Sequence, residues 1–201
     1  MNLTFLNRIR IISVFIMVCL TNCNCKKKIN QWDEISIDPE ISKDSIYREL
    51  DKQEEIFSVL EEQDSLMKGT SDVAYFSGKK INLEDNKYSK LNNCRAYFFH
   101  QDTLSIKIGI GNGFGGQGFI INYKDKKFYT EPYFSTDVII EGEVEPTYKI
   151  VYQKLTLDKP NYKLGDSLYG RIEFKSIETE KLFKKTEHFG KGSFRTKVGK
   201  L

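Results

Sequence analysis

IGIGNGFGGQGF, residues 108 to 119, is the stretch on which the fold turns. Two dinucleotide fingerprints of the form G-x-G-x-x-G overlap in it, one on Gly111, Gly113 and Gly116, the other on Gly113, Gly115 and Gly118. Such a fingerprint works only where a strand precedes it and a helix N-terminus follows to face the pyrophosphate. Leu104, Ile106, Ile108 and Ile110 alternate with Ser105, Lys107 and Gly109, so the strand is there. The helix is not. Phe119, Ile121 and Tyr123 also alternate, and Lys124-Asp125 reads as a turn. The Walker pattern fails as well, since Phe119 follows Gly118 where Lys should stand. The glycines therefore connect two strands, where they allow positive φ, a bulge or a wide loop. No cofactor is implied. A ligand-facing loop of Asn112, Gly113, Phe114, Gly115 and Gly116, with bare amides meeting a glycan, phosphate or peptide, is the first place to look for a binding surface.

The two-residue period extends outward from that centre. Leu168, Gly170, Ile172 and Phe174 share one parity, as do Tyr148, Ile150 and Tyr152. Gln101-Asp102, Lys159-Pro160-Asn161 and Gly190-Lys191-Gly192 punctuate the runs. Alternation bounded by such turns predicts eight to ten strands joined mostly as hairpins. The fold class that follows is mainly β, an antiparallel sandwich or barrel over residues 70–201.

Upstream the period changes. Ile46, Leu50, Phe57, Leu60 and Met67 recur at helical spacing, with Ser42 or Asp44 placed to cap and Gly69 to stop. One amphipathic helix over 44–68 is expected, packing its apolar side on the β domain. Residues 23–43 read as a tether.

Two local likenesses need weighing. LDKPNYKLGDSLYGRIEF, residues 157 to 174, resembles the K-P-x-Y-x-x-G-[DE] hairpin of many immunoglobulin-like sandwiches. That resemblance implies turns shaped by Pro160 and Gly165, with Leu168, Ile172 and Phe174 facing the core. Within it, Gly165-Asp166-Ser167-Leu168 spells the signature of a lipase and esterase family, whose Ser lies early in an α/β domain with an Asp-x-x-His near its end. Here Ser167 lies late in a strand, and Lys185 stands three before His188. A strand Ser without a base is an ordinary hydroxyl.

The N-terminus belongs to none of this. MNLTFLNRIR carries Arg8 and Arg10 and no acid, and the run from Ile11 to Leu20 is too short to span ~30 Å of hydrocarbon. This is the pattern of a secretory signal over residues 1–22. Leu20-Thr21-Asn22-Cys23 resembles the lipobox of bacterial lipoproteins, in the looser form of the Bacteroidetes group, with Asn22 where Gly, Ala or Ser is usual. The resemblance implies cleavage before Cys23, a diacylglycerol thioether on its sulfur, acylation of its new amine, and a membrane as partner. Lys26, Lys27 and Lys28 stand where surface-exported relatives of that group resemble one another in an acidic run, which favours the periplasmic face of the outer membrane.

Charge and chemistry narrow the function. The chain is formally +3, and removing the two charges of Arg8 and Arg10 leaves +1, which argues against nucleic acid as partner. Residues 31 to 64 hold twelve acids and residues 181 to 201 seven bases, read as solvated faces of opposite sign in preference to a docked pair. Cys94, in the apolar run CRAYFF, is expected as a buried thiol; Cys25 lies on the tether, and no zinc spacing occurs. His100 sits at a turn, and Glu141, Glu143 and Glu145 share a strand parity. No catalytic or metal site is expected. The reading is a lipid-anchored module binding an envelope protein or glycan, against an envelope hydrolase or a lipoprotein that neutralises a toxin.

Overall fold

The computed structural model describes residues 32–53, 68–78, 93–99, 102–111, 115–137, 146–179 and 185–200. Among them are ten strands: β1 Asp33–Glu34, β2 Ser36–Ile37, β3 Ser71–Ser77, β4 Asn93–Phe99, β5 Thr103–Gly111, β6 Gly115–Lys124, β7 Lys127–Thr136, β8 Thr147–Leu157, β9 Ser167–Thr179 and β10 Lys185–Gly199. They form one sheet in the order β1-β7-β6-β5-β4-β10-β9-β8-β2, with β3 also on β10. Every pairing is antiparallel except β10 with β4 and β2 with β8. The fold is thus mainly β, with one short α-helix among the described residues. The strand path has two ends, so the sheet is open.

Strand β10 is the hinge of the architecture. Its residues His188 to Phe194 take β3 along one edge, and on that edge Val198 and Gly199 then take β4. The sheet divides there into two wings, β1-β7-β6-β5-β4 and β3-β10-β9-β8-β2, that close on a single core. Phe119 of β6 meets Phe174 of β9 across it, ring centroids 4.7 Å apart. Alternation explains which residues enter. Leu104, Ile106 and Ile108 face Phe119, Ile121 and Tyr123 on the inner side of the first wing, all buried. Leu168, Ile172 and Phe174 line the second wing, as the hairpin resemblance implies. Cys94 is fully buried among them.

Two glycines let aromatic rings sink onto the second wing. Gly170 is paired with Phe194 and Gly190 with Phe174. A Cβ at Gly190 would stand 2.3 Å from the Phe174 ring, and one at Gly170 2.4 Å from the Phe194 ring. Each ring therefore lies over its partner glycine and needs the missing side chain.

Where the wings meet at β7 and β8, a side chain replaces the ladder. The Gln153 amide accepts from Thr130 N–H at 2.9 Å and donates to Phe128 O at 3.4 Å, all buried. Pro132, two residues further along β7, has no N–H to leave unsatisfied. Replacing Gln153 by Leu strands two buried backbone groups at about 1–3 kcal/mol each. We expect the urea midpoint of Gln153→Leu to fall accordingly; an unchanged midpoint would show the seam is held otherwise.

The turn between β8 and β9 is built by its own side chains. Asp158 accepts from Tyr162 Oη at 2.6 Å and Tyr169 N–H at 3.0 Å, while Asp166 accepts from Lys159 and from Lys163 N–H, both at 3.0 Å. Gly165 takes φ +87°, a left-handed conformation that favours glycine. Tyr123 Oη reaches Pro160 O at 2.5 Å and ties the turn to the first wing.

The expected helix over 44–68 is corrected to α1, Ser45–Leu50. The chain turns at Asp51–Gln53, and Gly69 N–H donates to Gln53 O at 2.7 Å. A continuous helix would hold those residues about 24 Å apart at 1.5 Å per residue. Phe57, Leu60 and Met67 lie outside the described residues. What α1 does bury is Tyr47 and Leu50, which join Ile41 in a small cluster against Tyr169. Tyr47 Oη donates to Gly170 O at 3.1 Å.

Three acids of residues 31–64 pair with arginines of β9 and β10, while Glu54, Glu55, Glu61, Glu62 and Asp64 lie outside the described residues. Arg171 pairs with Asp38 and Asp44 at 3.2 and 2.9 Å, and Arg195 with Asp51 at 2.9 Å. Arg195 further donates to Gly69 O and Tyr47 O, each at 3.1 Å. Its hydrogen bond to Asp51 holds that carboxyl below the usual carboxylate range. Exposed pairs contribute little individually. The buried apolar contact of α1 brings these charges together.

Candidate functional site

The glycine-rich stretch is the tip of the β5–β6 hairpin. Gly111 pairs with Gly116, and Gly109 with Gly118. Gly115 and Gly116 are strand residues paired with Thr136 and Ser135 of β7, so they are not part of a free loop. Asn112, Gly113 and Phe114 lie outside the described residues. No helix follows, and the dinucleotide reading ends there. Physical necessity for glycine is clearest at Gly118, where a Cβ would stand 2.1 Å from Ile108 O and 2.6 Å from Gly109 Cα. At Gly109 a Cβ would meet Tyr133 Oη at 2.3 Å and Gln117 O at 2.4 Å. These two glycines are spent on strand-to-strand approach and on seating the Tyr133 ring.

A buried polar line that the sequence did not reveal crosses the second wing. Tyr75 Oη bonds His188 Nδ1 at 2.8 Å, and His188 Nε2 bonds Glu178 Oε2 at 2.5 Å. Tyr75 and His188 are both buried, and Glu178 nearly so. Each comes from a different strand. The β9–β10 hairpin sets Ser176 opposite His188, which makes Glu178 its diagonal neighbour. Tyr75 arrives from β3, where Ser77 pairs with His188. Burial pushes the Tyr75 hydroxyl's pKa up, with Tyr148, Glu178 and Tyr133 adding to the effect. Its proton is therefore retained. Both imidazole nitrogens are occupied, so His188 offers no open nitrogen to a substrate. Ser176 Oγ is buried beside the line without a hydrogen-bond partner. In the sequence the Glu178–His188 proximity was recoverable from the hairpin; Tyr75, 113 residues away from His188, was not.

Ser167 and His188 do not form a catalytic pair. Ser167 is exposed and pairs with Lys197, whereas His188 stands opposite Ser176. Nine residues of strand separate Ser167 from Ser176, about 30 Å at ~3.3 Å per residue. Among the described residues no group of three His, Cys, Asp or Glu could hold a metal ion. Cys23, His100, Glu141, Glu143 and Glu145 lie outside the described residues.

The outer face of the first wing has its own composition. Tyr97, Ser105, Asn122 and Tyr129 form one cross-strand row over β4 to β7, and Arg95, Lys107, Ile120 and Glu131 form the next. Ser105 Oγ donates to Asn122 Oδ1 at 3.1 Å. Trp32 stands edge-on against Tyr129, centroids 4.7 Å apart, and the Lys107 ammonium lies 4.5 Å above the Tyr133 ring. No protein-family model, curated protein or solved structure matches the chain.

Proposed function

We propose that the protein is an acylated lipoprotein of the bacterial cell envelope whose β domain binds an envelope partner and carries out no chemistry. The observation that carries this is Leu20-Thr21-Asn22-Cys23 at the end of a basic-then-apolar leader. Each buried methylene contributes about 0.8 kcal/mol, so two or three acyl chains on Cys23 hold a protein durably at a bilayer. Trp32 follows Cys23 by nine residues, a reach of at most about 30 Å even when fully extended. The Lys26–Lys28 run would sit at an anionic lipid surface, each charge adding about 1 kcal/mol before screening. The periplasmic face of the outer membrane fits that basic run.

The binding reading is supported by the state of the polar groups. Ser167 stands opposite Lys197 and far along the strand from His188, which is sealed between Tyr75 and Glu178. Metabolic labelling of the full chain with an alkyne fatty acid is the test of anchoring. We expect label on the wild type, none on Cys23→Ala, and release of that variant from the membrane fraction. An unlabelled wild-type chain recovered from the soluble fraction would overturn the anchoring.

A further inference from the structure

We propose that Asp33–Ile37 is a strap that ties the two open edges of the sheet together and opens from its β7 end while its β8 end stays bound. β1 and β2 are the two ends of the strand path, yet Ile35 alone separates them in the chain. One short segment therefore holds both edges. Asp33 and Glu34 pair antiparallel with Phe128 and Lys127 of β7, and Ser36 and Ile37 pair parallel with Thr156 and Leu157 of β8. Ile35, between the two grips, donates its N–H to Lys126 O at 3.1 Å and packs a partly buried side chain on the main core. An open sheet whose wings share one core gains from such a tie, which covers part of both backbone edges and pins the spacing between the wings.

The two grips are unequal. Beyond Ile37 the chain is fastened many times over. Asp38 N–H donates to Leu157 O at 2.9 Å, the Asp38 and Asp44 carboxylates share Arg171, and Ile41 and Leu50 are wholly buried. Tyr47 adds its bond to Gly170 O. On the β7 side the described chain has the two-residue ladder of β1, with both side chains exposed, the Ile35 N–H and the edge contact of Trp32 with Tyr129. That ladder does not lengthen toward the N-terminus. Its next register position on that edge is Thr130, whose N–H is already held by the Gln153 amide at 2.9 Å. A segment with few buried contacts opens locally at a small fraction of the free energy that unfolds the whole domain. The β7 grip is such a segment and the β8 grip is not. Opening leaves the Gln153 amide and the Tyr123 hydroxyl on Pro160 O among the polar ties between the wings. Cys23 stands nine residues ahead of Trp32, so a load from the anchor proposed above enters the strap at its weak end. The strap itself does not depend on that anchor; only the source of the load does.

The amides of Ile35 and Asp38 report the two grips, and a removable lock tests them. The bond from Ile35 N–H to Lys126 O makes Glu34 and Lys127 a non-hydrogen-bonded pair. Such pairs are the closer kind, with Cα atoms about 4.5 Å apart, within disulfide reach. Both residues are exposed. In amide exchange of the full chain in detergent, corrected for intrinsic rates, Ile35 should exchange roughly a hundredfold faster than Asp38. Oxidised Glu34→Cys/Lys127→Cys should slow Ile35 to the rate of Asp38, and reductant should restore the difference. Should that disulfide fail to form, Trp32→Ala should quicken Ile35 exchange roughly tenfold and leave Asp38 unchanged. In optical-trap pulling from the two chain ends, the reduced double-cysteine chain should lengthen reversibly before the main unfolding event, and the oxidised one should not. The proposal is overturned if Ile35 and Asp38 exchange at one rate in the wild type. It is equally overturned if the lock, or Trp32→Ala in its place, leaves Ile35 exchange unchanged, or if reduced and oxidised chains lengthen alike. Failure of the two readings is separable. Equal exchange rates sink the strap alone, and an unlabelled chain in the fatty-acid experiment sinks the anchor alone.

Discussion

Phe174→Ala is expected to cost about 3–5 kcal/mol, the range for emptying a fully buried aromatic site. Phe174 is wholly buried and touches Phe119 across the core and Tyr75 along it, so it joins the two wings. Its ring also lies where a Cβ of Gly190 would stand, at 2.3 Å. Gly190→Ala by itself should therefore be destabilising by roughly 1–3 kcal/mol through overpacking. The double variant carries the sharper expectation. With the ring gone, the added methyl has room, and the two costs should fall short of additive by 1 kcal/mol or more. Urea denaturation of the two single variants and the double one measures this. Additive costs would show that the ring and the glycine are not coupled, and the account of the β9–β10 pairing would fail with them.

Above pH 10 the protein should lose stability steeply. Burial raises the pKa of the Tyr47, Tyr75 and Tyr162 hydroxyls well beyond the ordinary 10.0. At Tyr162 the hydrogen bond to Asp158 adds to the effect, and at Tyr47 the nearby Arg171 opposes it. All three side chains are within a tenth of full burial. In the unfolded chain these groups release their protons near pH 10, while the folded protein keeps them. The unfolded state then binds fewer protons, so stability falls as pH rises. Below the unfolded value the stabilisation is fully present; it is lost as pH climbs from there toward the raised folded values. Each group shifts the folded-to-unfolded ratio about tenfold per pH unit in that window. Unfolding midpoints at pH 8, 9, 10 and 11 should be flat and then drop, and the drop should be shallower in Tyr75→Phe and in Tyr47→Phe. Parallel curves for wild type and variants would show that other groups drive the alkaline transition. The neutral-pH midpoint of Tyr75→Phe reports a separate quantity, the value of its bond to His188.

Some of this molecule was legible residue by residue. Leu104, Ile106 and Ile108 alternate because one face of β5 is dry, and Leu168, Ile172 and Phe174 do so for the same reason. The glycine run could be refused as a nucleotide site because the text after Phe119 has the period of a strand. The helix was overextended for an instructive reason. Ile46, Leu50, Phe57, Leu60 and Met67 fit a helical stripe, yet periodicity cannot register that Gly69 returns to bond Gln53. The ion pairs of Asp38, Asp44 and Asp51 escaped in the same way. Arg171 and Arg195 find Asp38, Asp44 and Asp51 only because β9 and β10 run past α1.

By itself, then, the sequence determined the mainly β class, the inward parity of the strands around the glycine run and the core-facing residues of the β9 hairpin. It did so because a strand's period of two is written locally, in consecutive residues. It also carries the basic-then-apolar start and the Cys23 on which the proposed anchor stands. The tertiary structure alone decided which strands are neighbours: β10 carrying β3 and β4 in succession, Gln153 closing the seam, Tyr75 meeting His188, and Tyr97 sharing a row with Tyr129. Those contacts join residues tens to more than a hundred positions apart, and their register depends on every strand between them, which no local pattern encodes.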